Sequence, residues 1–198
     1  MGHKWQDATC ITDQICVVCG KTGGKAFGHK WVEATCYDPQ YCEDCGVTGG
    51  RALGHDWTEA TETMPRICRA CETMEAMAMP ANGQVFVGKN SYCGSELTIH
   101  GSTTQSCYIK LKDANKNDVY SFFVPAGETT VAPVPTGYYY VYFAYGTDWY
   151  GPEYVFGSGT TYAKDDELCD FTNYTWEYTL YPIQDGNFSE TPIKADEF

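Results

Sequence analysis

Residues 2–27 read GHKWQDATCITDQICVVCGKTGGKAF, and residues 28–53 repeat them as GHKWVEATCYDPQYCEDCGVTGGRAL. A third, degenerate copy follows at 54–79, GHDWTEATETMPRICRACETMEAMAM. Every landmark steps by 26 residues: His3, His29, His55; Trp5, Trp31, Trp57; Cys16, Cys42, Cys68; Cys19, Cys45, Cys71. The first cysteine of each copy runs Cys10, Cys36, then Glu62. Self-similarity at a fixed period marks a repeat architecture. Each copy offers one tryptophan and few other large apolar side chains, which is too little for a core of its own. Units below about 40 residues generally need a disulfide, a metal or association to fold.

Disulfides fit this pattern badly. Copies one and two each hold three cysteines, so one thiol is left over, and pairing does not explain a histidine at the same period. Structural zinc fits better, because Cys-x5-Cys-x2-Cys plus one His supplies the ligands of a closed tetrahedral site. The C-x-x-C step lets two thiolates face one ion, and the Gly after it accepts a left-handed turn. Glu62 still offers an oxygen where the thiolate is missing. The candidate ligands are therefore His3, Cys10, Cys16, Cys19, His29, Cys36, Cys42, Cys45, His55, Glu62, Cys68 and Cys71, and the expected cofactor is about two to three structural Zn2+ ions.

Two registers are open. In one, the histidine precedes its cysteines, as in His3 with Cys10, Cys16 and Cys19; in the other it follows them, so that His29 completes that set. The first register is favoured, because it uses every repeat histidine and gives the third copy the set His55, Glu62, Cys68, Cys71. In the second, Ala81 occupies the next period position and the third copy lacks a fourth ligand. An iron centre and a redox-active C-x-x-C are the rival chemistries. A single histidine per set argues against all-cysteine clusters, and no βαβ pattern surrounds the motifs.

The GH-x-W…A-T-C…C-x-x-C-G order resembles tandem Cys/His repeats of large surface or secreted proteins of Gram-positive, Clostridia-type bacteria. The resemblance spans residues 2–72 and implies a spacer or interaction array on a bacterial protein, at the cell surface or secreted, and no activity. The third copy departs from it at Glu62 and at CRACE, where a Gly is expected after the knuckle, so occupancy of the third site stays open.

The net charge of −13 splits as 7 basic against 11 acidic residues in 1–80 and 6 against 15 in 81–198. Both parts repel a phosphate backbone, which excludes nucleic acid as the expected partner despite the finger-like cysteines. No run approaches the length of a membrane span, and the start MGHKWQDATC shows no apolar stretch of a signal peptide.

From residue 84 the pattern alternates with period two. Strands are expected at 84–88, 96–101, 106–113, 119–124, 128–134, 137–145 and 174–182, separated by turn signals. This half carries 24 of the chain's 30 aromatic residues, enough for a core without metal. YYVYFAYGTDWYGPEYVFG and WEYTLYPIQDGNFS resemble a small β-sandwich domain found at the C-terminus of diverse bacterial proteins, which implies no catalytic residues.

The expected fold is mainly β: three zinc-stabilised repeats over 1–79, a linker at 80–84, and an antiparallel Ig-like β-sandwich with a C-terminal tail over 85–198. Met74, Met77 and Met79 suggest one helical turn before the linker. In the loop 145–157, Trp149, Tyr150, Tyr154 and Phe156 read either as rings folded over the sandwich or as a binding platform. Asp165, Asp166, Glu167 and Asp170 read as a solvated acidic loop rather than a calcium site. Cys107 reads as core, a Cys93–Cys169 bridge is open, and His100 reads as an exposed histidine. The expected function is non-catalytic: an array serving as spacer or adaptor for a protein-binding module. A carbohydrate-binding or adhesin module and a thiol-redox or metal-dependent enzyme are the alternatives.

Overall fold

The structure, a computed structural model, describes residues 2–89, 91–180 and 190–198. It divides into two compact units: Met1–Thr58 with Cys68–Thr73, and Glu59–Ile67 with Met74–Phe198. Both are built from strands and irregular chain, and the only helical elements among the described residues are two three-residue 3-10 turns. None of these is long and apolar enough to cross a membrane.

The first unit consists of small antiparallel pairings. β1 (Trp5–Gln6) pairs with β2 (Ile15–Cys16), and β3 (Trp31–Val32) pairs with β4 (Gln40–Cys42), which also pairs with β5 (Thr48–Gly49). The third segment has isolated bridges instead of strands, Trp57 with Cys68 and Ile67 with Met74. In every case the tryptophan stands opposite the first knuckle cysteine: Trp5 with Cys16, Trp31 with Cys42, Trp57 with Cys68. The pairing also explains a glycine in each of the first two segments. A Cβ on Gly49 would lie 3.0 Å from the Trp31 ring, and one on Gly23 would lie 3.0 Å from the Trp5 ring.

The second unit carries β6 (Val85–Val87), β7 (Ser95–His100), β8 (Ser106–Lys112), β9 (Asp118–Val124), β10 (Thr129–Val134), β11 (Tyr138–Gly146), β12 (Thr161–Asp165), β13 (Cys169–Asp170), β14 (Trp176–Thr179) and β15 (Glu190–Pro192). One sheet runs β15-β12-β11-β8-β9-β6, with β13 added to β11; the other runs β10-β7-β14. All pairings are antiparallel except β14 with β7, which is parallel. One buried cluster draws on both sheets: Leu97 and Ile99 from β7, Val134 from β10, Tyr178 from β14, and Ile109, Phe122, Val141 and Phe143 from the larger sheet. The large sheet therefore buries one face against the small sheet.

Alternation along β8 shows how the sequence produces this. Cys107, Ile109 and Leu111 enter the shared core, while Tyr108 joins a second cluster on the other face. There Lys110 lies over the Phe198 ring and Lys112 over the Tyr142 ring, and both ammonium groups pair with Asp118. The strand expected at 174–182 is seen as Trp176–Thr179; its last two positions fall outside the described residues.

The division between the units differs from the expected boundary at residue 79. Glu59–Ile67, from the middle of the third segment, belongs with the second unit. A side chain on Gly151 would run into the Thr63 carbonyl, so this close approach requires glycine, which also holds φ at +92°. The segment after Met74 forms no helical turn. It has no regular secondary structure, with the Met77 N–H donating to the Trp149 carbonyl at 2.7 Å and its side chain packed on the second cluster.

Candidate metal centres

The short hairpins place the ligands. The Val17 N–H donates to the Lys4 carbonyl, and Glu43 to Lys30 and Arg69 to Asp56 do the same 26 and 52 residues later, at 2.8–2.9 Å. This fixes the histidine of each GH-x-W beside its own knuckle. The imidazole Nδ1 then lies 3.4 Å from Cys19 Sγ in the first segment, 3.5 Å from Cys45 in the second and 3.4 Å from Cys71 in the third. Each histidine ring rests on the tryptophan two residues on, with centroids 5.1, 4.9 and 4.7 Å apart. Facing positions 30 and 43 carry a Lys–Glu pair, and 56 and 69 carry the same pairing with the charges exchanged, Asp–Arg.

The knuckles close with the N–H of the following residue donating to the first cysteine's carbonyl: Gly20 to Cys16, Gly46 to Cys42, Glu72 to Cys68. All three following residues have positive φ, the conformation expected of the C-x-x-C-G step.

The first cysteine of each segment is positioned by a different device. The Thr9 hydroxyl accepts hydrogen bonds from the Ile11 and Thr12 N–H groups, and Thr35 accepts from Tyr37 and Asp38. Thr61 accepts from Thr63 and Met64 in the same way. This is why A-T precedes the cysteine: the threonine builds a tight turn that presents the next side chain.

That turn faces the following segment rather than its own knuckle. Cys10 joins His29, Cys42 and Cys45; Cys36 joins His55, Cys68 and Cys71. Within each set the ligand atoms lie within 4.8 Å of one another, with Cys10 Sγ 3.7 Å from Cys42 Sγ and Cys36 Sγ 3.8 Å from Cys68 Sγ. His3, Cys16 and Cys19 form a third cluster of three. All of the cysteines are free thiols.

Both registers expected from the sequence therefore differ from the structure, because each kept the first cysteine with its own knuckle. Glu62 occupies the threonine turn but lies outside all three clusters. A signal for this arrangement was present in the spacing. Cys10 to His29 and Cys36 to His55 are both 19 residues (29 − 10 and 55 − 36), and the third segment loses both partners of that step together, at Glu62 and Ala81.

The thiols are electrostatically unequal. Desolvation alone would raise Cys16, but the Val18 and Cys19 N–H groups and the His3 ring outweigh it and bring the thiol down to about 6. Cys42 and Cys68 fall to about 6 by the same balance, helped by His29 and His55. Cys10 is pushed up to about 12 by desolvation and by Cys45 and Cys42, and Cys36 to about 12 by Cys71, desolvation and Cys68. Desolvation and the neighbouring cysteines thus favour the protonated form of the thiol arriving from the preceding segment. A dication removes that penalty and deprotonates the thiol.

Elsewhere the sequence candidates are drawn into packing. Trp149 is 2% exposed and Phe156 3%, both in the cluster on the outer face of the large sheet. Trp149 sits among Phe86, Tyr108, Phe123 and Phe156, with ring centroids 5.2–5.6 Å away. Tyr150 and Tyr154 are half-buried, so the loop presents no flat aromatic platform. The acidic stretch is partly strand. Asp165 is buried at the end of β12 and accepts from the Tyr178 hydroxyl at 2.5 Å, Asp166 accepts from Thr191, and Asp170 from Thr172 and Asn173. These carboxylates form no metal-sized cluster among the described residues.

Cys169, which shares a 3.1 Å contact with Tyr178, is pushed up to about 12 by burial. Cys107 is fully buried, and Cys93 is half-buried and free. His100 pairs with Glu177 at 2.5 Å and contacts Thr129. Compared with protein families, curated proteins and solved structures, the chain matches none.

Proposed function

We propose that the chain is a non-catalytic modular protein. Its N-terminal part is a zinc-organised Cys/His repeat array serving as spacer or adaptor, and its C-terminal part is an Ig-like β-sandwich that binds a protein partner. One observation carries the zinc reading. Zn–S of about 2.3 Å and Zn–N of about 2.0–2.1 Å give tetrahedral edges of about 3.8 Å between sulfurs and about 3.5 Å between sulfur and nitrogen. The side chains stand at 3.7 and 3.8 Å for sulfur–sulfur and at 3.4–3.5 Å for sulfur–nitrogen.

Three thiolates and one imidazole are the donor set of a closed structural site, which leaves no position for substrate. The adaptor role follows from where those ligands come from: each complete set joins two consecutive repeats, so one ion fixes both. A zinc set also gives the bacterial-surface resemblance a physical basis, since repeats with almost no core need a metal to hold their shape. The burial of Trp149 and Phe156 speaks against the aromatic platform on which the glycan alternative rests.

Elemental analysis of the purified protein tests the metal. Two to three zinc ions per chain are expected, counting the two four-ligand sets and the three-ligand set. No metal, together with thiols that resist alkylation until a reductant is added, would replace zinc with disulfides.

A further inference from the structure

The two complete sets and the incomplete one differ in a single respect. His3, Cys16 and Cys19 stand as His29, Cys42 and Cys45 do, but among the described residues no fourth thiol joins them. The surroundings differ accordingly. His3 is exposed, whereas His29 and His55 are half-buried, and His55 is covered edge-on by the Tyr37 ring that follows donor Cys36. Both cysteines presented by threonine turns, Cys10 and Cys36, are already engaged in complete sets, and the third turn carries Glu62. Cys107 and Cys169 are buried in the second unit, and Cys93 there is half-buried, donates to the Ser91 carbonyl and follows Tyr92 rather than a threonine. The array therefore has a direction: each Thr-Cys turn donates forward, the donors stop at Glu62, and the three-ligand cluster at His3 has no donor turn among the described residues.

Resting on the metal reading above, we infer that His3, Cys16 and Cys19 are the acceptor half of a fourth junction. Its partner is the Thr-Cys turn of a further repeat of the same kind. The chemistry of the missing ligand is set by the complete junctions. It is a thiolate held in a threonine turn 19 residues before the histidine, reaching about 3.7–3.8 Å from the first knuckle sulfur, as Cys10 and Cys36 do. A second copy of this chain cannot supply it from intact junctions, because its own donors are used internally. A repeat with an unengaged donor can.

The test is cysteine-by-cysteine alkylation of the zinc-loaded full chain, read by mass spectrometry. It is repeated on the chain extended ahead of residue 2 by one more copy of residues 28–53. In the chain itself, Cys16 and Cys19 should react severalfold faster than Cys42, Cys45, Cys68 and Cys71. The added copy should slow Cys16 and Cys19 to the rate of the others, and Cys36→Ser within that added copy should restore fast reaction. Protection of Cys16 and Cys19 without any added copy would overturn the inference. So would an added copy that fails to protect them, or one that protects them equally well with Cys36→Ser. Cys42 and Cys45 reacting as fast as Cys16 in the presence of zinc would instead remove the metal reading, and the inference with it.

Discussion

One residue at a shared backbone angle separates the third knuckle from the first two. Gly20 and Gly46 take φ of +71° and +69°, and Glu72 is held at +60° in the same place. A left-handed conformation costs a residue with a Cβ about 1–2 kcal/mol, partly offset by the greater freedom glycine loses on folding. Glu72→Gly should therefore tighten metal binding at the third set by about 0.5–1 kcal/mol, roughly two- to fivefold. Competition with a chromophoric chelator reads this directly, and no gain would mean that the angle carries no strain. The same position shows what a sequence yields at this scale. Ligand types were legible, because soft donors at C-x-x-C spacing with a periodic histidine have few other uses. The allotment of ligands was not, because it depends on which way the Thr9 and Thr35 turns point their neighbours, and a hydroxyl–amide turn has no sequence direction. Glu62 was read from the chemistry of its carboxylate, yet it joins none of the three sets.

At the scale of elements, period-two alternation located six strands of the second unit within a residue and the seventh, expected at 174–182, as Trp176–Thr179, because one face of each enters a shared core. The strands it missed are β12, β13 and β15, which are short or rich in charge and threonine. β12 looked like the flank of an acidic loop because Asp165 is buried through a Tyr178 hydrogen bond that no periodicity reveals. The parallel pairing of β14 with β7 was equally illegible, since alternation gives a strand's faces but not its direction. The loop at 145–157 was open between packing and display, and the second cluster decides it. The larger sheet is apolar on both faces, so Trp149 and Phe156 are needed to cover the outer one. Trp149→Ala should destabilise the second unit by about 3–5 kcal/mol in urea unfolding followed by far-UV circular dichroism. A loss below about 1 kcal/mol would place the ring in solvent and reopen the platform.

At the scale of the whole chain, the first unit depends on links between segments rather than within them. Each segment folds a hairpin that aligns one histidine and two cysteines, and the preceding segment closes the set. A metal bound there would serve both to fold a segment and to fix its neighbour, because the set is assembled only when both are in place. A series built this way extends in one direction and ends where the donor cysteine is replaced, as it is at Glu62. Cys10→Ser distinguishes this arrangement from ligation inside each repeat, with site-resolved alkylation of the zinc-loaded chain as the readout. Junctions between segments predict that the substitution exposes Cys42 and Cys45 to reaction and leaves Cys16 and Cys19 at their original rate. Exposure of Cys16 and Cys19, with Cys42 and Cys45 still protected, would contradict it.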